Sequence, residues 1–205
     1  MLLFDSIGPN PKVVRMFMAE RGVSGIEVQK VDLLGGENRQ EAYMAKNPTG
    51  TLPALQLDNG SYLSEITVIC EYLDEIATRG PSLIGSTPEE RAETRMWVRR
   101  IDLGIIEPMV AGFRYAEGLK LFSNRMRCIP HAAEDMKAIA QEKLAWLDRQ
   151  IAGRTFICGN RFTLADVFLF AFLQFGATVK QGLDPANTHL VAWYDRMAAR
   201  PSAAV

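Results

Sequence analysis

Residues 47–55 read Asn-Pro-Thr-Gly-Thr-Leu-Pro-Ala-Leu, and this short segment is the most informative in the chain. Its prolines and glycine restrict the backbone to turns, because proline fixes φ and glycine adopts conformations that other residues avoid. The run Leu-Gln-Leu at residues 55–57 alternates as a strand does. Residues 47–55 therefore predict a rigid loop that leads into a β-strand.

The segments around this loop predict a small mixed sheet. Strand patterns occur at residues 2–4, 26–31, 55–57 and 62–63, and helical spacing of apolar residues occurs at residues 13–21, 41–46 and 66–76. Residues 26–31 alternate apolar and polar side chains, which predicts a half-buried strand. The turn Asp58-Asn59-Gly60 joins the last two strands as a hairpin. The order β-α-β-α-β-β-α requires one parallel crossover and ends in an antiparallel pair.

The turn-rich residues 79–88 are the best linker candidate in the chain. Beyond them the pattern is entirely helical, over residues 89–119, 131–151, 164–177 and 190–199. We expect two domains, residues 1–79 and residues 88–205, of which the second is a helical bundle.

Composition narrows the function classes. The 205 residues carry a formal net charge of −1, so nothing favours a nucleic-acid or anionic-membrane partner. The N-terminal residues lack the pattern of a signal peptide, and no apolar run has the length of a membrane helix. Cys70, Cys128 and Cys158 are widely spaced, which favours a reducing, cytoplasmic compartment. His131 and His189 stand far apart, so no metal site is expected.

Three segments together resemble the glutathione transferase family. Residues 47–55 are similar to its Asn-Pro-x-Gly loop, residues 64–73 to its Glu-Ser helix start, and residues 159–166 to an N-capping box in its helical domain. The third motif is structural, with Thr163 as the cap and Asp166 bonding back to it. The resemblance implies an α/β plus all-α protein: an N-terminal thioredoxin-like domain, a C-terminal helical bundle, and a two-fold symmetric homodimer.

The resemblance also implies a set of glutathione contacts. Leu52 offers its backbone to the cysteinyl part of glutathione, before a cis Pro53, and Glu65 pairs with the γ-glutamyl amine. Ile66 stands where the family usually has a serine that binds the γ-glutamyl carboxylate. Asn38 and Gln40 are candidates for the glycine carboxylate. The expected contacts are thus Gln40, Thr51, Leu52, Pro53, Glu65 and Ile66, with Asp102 reaching from the other subunit.

Glutathione chemistry needs a donor that stabilises the thiolate, because a free thiol with a pKa of about 8.5 is mostly protonated at pH 7. By alignment, Phe4 falls at the position of the family's tyrosine, and Gly8 or Pro9 falls at that of its serine or cysteine. None of these side chains donates. Gly8-Pro9-Asn10 resembles a Thr-Pro-Asn stretch of bacterial nu-like transferases, so Asn10 is the first candidate and Ser6 the second. The alternative is that Asn10 is a turn or capping residue.

The resemblance places the site for a small hydrophobic electrophile on the long helix that follows the linker. Phe113 and Tyr115 are the candidates there, although aromatic residues at helical spacing are more often core. Three functions remain open: conjugation of glutathione to the electrophile, glutathione-dependent disulfide reduction, and non-catalytic ligand binding or protein interaction on the same fold.

Overall fold

The computed structural model describes residues 1–205 and divides the chain into two compact units. The first unit contains Met1–Ser86 together with Pro201–Val205, and the second contains Thr87–Arg200. Contacts with the first helix, Pro9–Arg21, explain why the last five residues group with the first unit. Lys12 Nζ donates to the carbonyl of Ala203 at 2.9 Å, and Ser202 Oγ hydrogen-bonds to Glu20. The boundary expected from the sequence places these residues in the helical domain.

The first unit has the mixed sheet that the sequence predicts. Its elements are β1 (Leu2–Asp5), α1 (Pro9–Arg21), β2 (Glu27–Lys30), α2 (Glu41–Met44), β3 (Ala54–Gln56), β4 (Tyr62–Leu63) and α3 (Ile66–Ile76). The strands lie in the order β2-β1-β3-β4. β1 pairs with β2 in parallel and with β3 antiparallel, and β3 pairs with β4 antiparallel. The predicted fold of this domain is confirmed.

The core of the first unit lies where α1 and α3 pack together beside the central strands. It contains Leu3, Phe4, Val13, Val14, Phe17, Ala54, Leu55, Ile69 and Leu73. The half-buried strand predicted for residues 26–31 is found only in part: all side chains of β2 are exposed, whereas Val31, directly after it, is buried. β2 is the outer strand of the sheet and pairs only with β1. Alternation in the sequence does not reveal such an edge position.

An ion pair joins the end of α1 to α3. Arg21 Nε lies 2.6 Å from Asp74 Oδ1, and both side chains are almost fully buried. Arg21 also donates to the carbonyls of Gly80 and Pro81 at 2.9 and 3.0 Å. The chain that leaves α3 is therefore held against α1.

The second unit is helical, as predicted. Its helices are α4 (Pro88–Ile101), α5 (Glu107–Tyr115), α6 (Leu119–Phe122), α7 (Ala133–Gln150), α8 (Leu164–Thr178) and α9 (Thr188–Ala198). A π-helical segment, Asp102–Ile106, joins α4 to α5 and interrupts what the sequence predicts as one helix. The N–H of Glu107 donates to the carbonyl of Asp102, and Pro108 has no N–H to restore the α-helical register. None of the helices is long and apolar enough to span a membrane.

The capping box at the start of α8 is confirmed. Thr163 caps the helix and Asp166 bonds back to the Thr163 N–H at 3.0 Å. Asp166 also accepts from the N–H of Ile157 at 2.9 Å and from Trp193 Nε1 at 2.8 Å. Burial raises the pKa of Asp166 to about 6, and these donors oppose the rise. This carboxylate organises the helical unit from within.

Candidate functional site

The start of α1 presents Asn10 as its principal donor. Gly8 is the N-cap with φ 105°, a conformation that suits glycine, and Pro9, Asn10 and Pro11 follow. Proline has no N–H, and the N–H of Lys12 donates to the carbonyl of Gly8 at 3.4 Å. No side chain caps this helix. At the positive end of the α1 dipole, Asn10 is therefore the residue that still offers donors, namely its backbone N–H and its side-chain amide.

Ser6 has a different environment from Asn10. It is buried, and its hydroxyl donates to the carbonyl of Val31 at 2.7 Å. Phe4 is also buried, with its ring edge-to-face against Tyr43 at 6.0 Å between ring centres. Ser6 thus ties the loop to the end of β2, and Phe4 belongs to the core.

A charge cluster lies beneath this loop. The side chain of Asp5 is fully buried at the end of β1, and Arg15 Nη1 lies 2.5 Å from its carboxylate. Lys30 pairs with the other carboxylate oxygen. An open pocket of about 460 Å³ adjoins the cluster and is lined by Ser6, Ile7, Arg15, Lys30 and Leu34, among others. Sequence reasoning missed this cluster, whose one signal is an acidic residue directly after the apolar run at residues 2–4.

The loop at residues 47–55 is fixed from two directions. Tyr43 Oη and Asn47 Nδ2 both donate to the carbonyl of Thr51, at 2.7 and 2.9 Å. Buried Asn38 donates to the carbonyl of Gly50 at 2.6 Å, so its amide supports the loop instead of lying free for a carboxylate. The Thr51 hydroxyl is itself bonded to Thr49 at 2.7 Å. These bonds make the loop rigid, as the sequence predicts.

Leu52 and Pro53 follow these bonds. The Leu52–Pro53 peptide is cis, as the resemblance implies. The side chain of Leu52 is buried, whereas neither its N–H nor its C=O bonds to another backbone group. Leu52 therefore has the hydrogen-bonding capacity of an unpaired strand edge.

Glu65 precedes α3 in a strained conformation. Its φ is 69° and its ψ is 120°, and its side chain is exposed. A non-glycine residue in such a region costs on the order of 1–3 kcal/mol, and residues of this kind cluster at ligand clamps. Ile66 is the first residue of α3 and is partly buried.

The sheet register brings these segments to one end of the sheet. Phe4 is opposite Ala54 in an antiparallel pair, so Asp5 and Ser6 continue alongside Pro53 and Leu52. Leu63 is opposite Leu55, and the chain continues from there in the same direction to Glu65. The loop before α1, the cis-proline loop and the start of α3 thus share one end of the sheet. The exposed Gln40 precedes α2 and lies outside this register.

The remaining candidates belong to the second unit. Asp102 begins the π-helical segment, with an oxygen 3.8 Å from Arg99 Nη1. Phe113 packs edge-to-face against Phe175 at 5.0 Å between ring centres and is partly buried. Tyr115 is the last residue of α5 and is partly buried.

Comparison with known proteins identifies relatives along the whole chain. Residues 7–76 match the family model described as glutathione S-transferase, N-terminal domain, and residues 130–196 match the corresponding C-terminal domain. The chain is 32% identical to glutathione S-transferase 2 of Saccharomyces cerevisiae, over 98% of this chain and 87% of that protein. Elongation factor 1-gamma of Carassius auratus is 34% identical over 74% of this chain, but only 31% of that protein is covered.

Solved structures give the same result. A glutathione S-transferase domain-containing protein from Marinobacter aquaeolei superimposes with a TM-score of 0.92 at 38% identity, over 98% of this chain and 99% of that chain. These matches confirm the resemblance inferred from the motifs at residues 47–55, 64–73 and 159–166. The chain belongs to the glutathione S-transferase family.

Proposed function

We propose that this protein is a glutathione transferase that joins the thiolate of glutathione to a small hydrophobic electrophile. The observation that carries the proposal is the shared end of the sheet, to which an uncapped helix start, an unpaired backbone segment and a strained acidic residue all lead. Glutathione has a matching group for each: a thiol, a peptide backbone and an α-amine. The family relationship gives the reaction class.

Recognition of glutathione begins at Leu52 and Glu65. The free N–H and C=O of Leu52 pair with the cysteinyl backbone as an added strand would. Glu65 accepts a charge-assisted hydrogen bond from the γ-glutamyl amine, which contributes about 1.5–3 kcal/mol. Thr51 and Pro53 hold Leu52 in place, and Gln40 binds the glycine carboxylate.

Asn10 activates the thiol. Lowering a thiol pKa by about 2 units requires about 2.7 kcal/mol of preferential stabilisation of the thiolate. One or two hydrogen bonds to the charged sulfur supply this amount, at about 1.5–3 kcal/mol each. The engaged hydroxyl of Ser6 favours Asn10 as the donor, because Ser6 would have to give up its bond to Val31.

The second unit and a second subunit complete the enzyme. We place the electrophile against Phe113 and Tyr115, and assign Asp102 to contact with glutathione of the partner in a homodimer. Val68 and Ile76 on α3, and Met96 and Leu103 on or beside α4, are exposed apolar side chains that a second copy would cover. Light scattering should give twice 22.8 kDa, and a value of 22.8 kDa at micromolar concentration would contradict the dimer. We further propose a cytoplasmic location and a role in detoxification.

Two assays test the function. The protein should be retained on immobilised glutathione and should conjugate glutathione to chlorodinitrobenzene. Retention without turnover would favour a non-catalytic binding protein, a reading that the match to elongation factor 1-gamma keeps in view. Turnover of hydroxyethyl disulfide without conjugation would favour glutathione-dependent disulfide reduction.

A further inference from the structure

Arg15 of α1 binds two parts of the chain just before that helix. Its Nη1 donates to Oδ1 of Asp5 at 2.5 Å and to the carbonyl oxygen of Ser6 at 3.1 Å. Asp5 is the last residue of β1, and Ser6 is the next residue. One guanidinium group therefore fixes the backbone at the point where the chain leaves the sheet and turns towards Asn10.

The burial of Asp5 explains why a strong cationic partner is needed there. A buried carboxylate is costly unless it is paired and hydrogen-bonded. Lys30 also binds Asp5, but its side chain is 71% exposed, against 27% for Arg15. Water screens the exposed lysine more strongly, and only arginine binds the carbonyl of Ser6 as well. Arg15 is thus the principal partner of Asp5.

We propose that Arg15 is a positioning residue for thiol activation: it holds residues 6–8 in the conformation that presents Asn10 to the sulfur of glutathione. This inference rests on the proposed function. Arg15 acts through the loop and through the charge of Asp5, and it lines the pocket that adjoins the loop.

The pairing has an electrostatic consequence as well as a geometric one. Asp5, Arg15 and Lys30 together carry one net positive charge, and loss of Arg15 leaves only the neutral pair of Asp5 and Lys30, which stabilises a nearby thiolate less. Removal of both Asp5 and Arg15 restores the net positive charge of the cluster without restoring the bond to Ser6.

Other charged groups surround the same loop and pocket. Lys12 lies on α1, and burial together with the charge of Arg15 lowers its pKa. Asp32 and Glu37 line the pocket, and each accepts a hydrogen bond from a backbone N–H. All three remain in every variant described below, so differences among the variants report on Asp5 and Arg15.

Three variants separate these effects: Arg15→Met, Arg15→Lys, and Asp5→Asn combined with Arg15→Met. The measurements are the pH midpoint of kcat/KM for the electrophile at saturating glutathione, kcat, and KM for glutathione. In Arg15→Met the midpoint should rise by about one unit, a tenfold loss of thiolate below the pKa, with KM changed less than about twofold. The combined variant should return the midpoint towards wild type while kcat stays low. Arg15→Lys keeps the charge but cannot reproduce the fork of arginine, so kcat should fall with the midpoint unchanged.

Arg79→Met, at an exposed arginine of the same unit, is the matched control and should behave as wild type. A folded Arg15→Met protein with wild-type kcat and midpoint would overturn the inference. Should that variant fail to fold, Arg15→Lys decides, because wild-type kcat there overturns the inference and a selective loss of kcat supports it. If the wild-type protein neither binds nor conjugates glutathione, the proposed function is refuted. If the wild-type protein is active and the Arg15 variants are unaffected, only the inference about Arg15 is refuted.

Discussion

Arg21 and Asp74 form a nearly buried ion pair between α1 and α3, with 2.6 Å between Nε and Oδ1. α1 begins at the candidate thiol-activating loop and α3 begins at Glu65, so the pair joins the far ends of two helices whose near ends form the candidate site. Asp74 also accepts from the N–H of Leu83 at 2.9 Å. The pair therefore connects the scaffold of the site with the chain that leads out of the first unit.

We expect Arg21→Met to lower the free energy of unfolding by about 3–5 kcal/mol, because it leaves a buried carboxylate without its cation. Urea unfolding at pH 7 measures the change. Arg79→Met is the control, because Arg79 contacts Arg21 only through its backbone carbonyl, which the substitution keeps, and loss of its exposed side chain should change stability by less than about 0.5 kcal/mol. A loss of similar size in the two variants would show that the pair contributes little.

Asp166 should make stability depend on pH. Its folded pKa is raised to about 6, whereas an unfolded aspartate has a pKa of about 3.9. Between these values the folded state binds more protons than the unfolded state, so the contribution is fully present below pH 4 and is lost as pH rises through 6. The loss should be about 3 kcal/mol. Urea unfolding of wild type and Asp166→Asn between pH 4 and pH 7 isolates this contribution. If the free energy of unfolding depends on pH equally in the two proteins, the assignment is contradicted.

Periodicity and turn residues in the sequence were sufficient to predict the order of elements and the mixed sheet. Exposure of β2 was not predictable, because alternation identifies two faces of a strand but not its place at a sheet edge. The π-helical segment at Asp102–Ile106 also escaped prediction, since its residues keep a helical apolar pattern. The exposure of β2 depends on tertiary packing, whereas the π-helical segment has one local signal, Pro108.

The candidate site was likewise predictable from the sequence only in part. Motifs identified Leu52 and Glu65, but nothing in the sequence indicates that Glu65 adopts a positive φ. Arg15 was missed because a single arginine among apolar helix residues looks like a surface position. Its partner Asp5 lies ten residues away and comes into contact only through the β-α turn.

Asn10→Ala should slow conjugation more than Ser6→Ala does. Loss of the side-chain donor at Asn10 should cost about 1–3 kcal/mol, or roughly tenfold to a hundredfold in rate. Ser6→Ala removes a buried structural bond to Val31 and should lower stability by about 1 kcal/mol without moving the thiol pKa. A thiolate difference spectrum titrated against pH reads the pKa directly. An unmoved midpoint in Asn10→Ala with a raised midpoint in Ser6→Ala would reverse the assignment.

Glu65→Ala should weaken glutathione binding by about 1.5–3 kcal/mol with little effect on the thiol pKa, since it removes a charge-assisted bond remote from the sulfur. Glu65→Gly is the matched variant. It loses the same carboxylate but adopts φ 69° with less strain than alanine, so it should be more stable to urea than Glu65→Ala by about 1 kcal/mol. Calorimetric titration with glutathione measures affinity. Unchanged affinity in both variants would mean that glutathione binds elsewhere.

Ile66 provides the sharpest test of how the γ-glutamyl carboxylate is held. Isoleucine offers no hydroxyl at the first position of α3, and no side chain caps this helix, so the carboxylate depends on backbone N–H groups there. Ile66→Ser supplies a donor and should tighten glutathione binding, by at most about 1 kcal/mol. Because Ile66 is partly buried, Ile66→Ala serves as the control for lost packing, and the comparison of serine with alanine isolates the hydroxyl. Calorimetric titration that finds equal affinity in the two variants would show that the carboxylate does not lie at the start of α3.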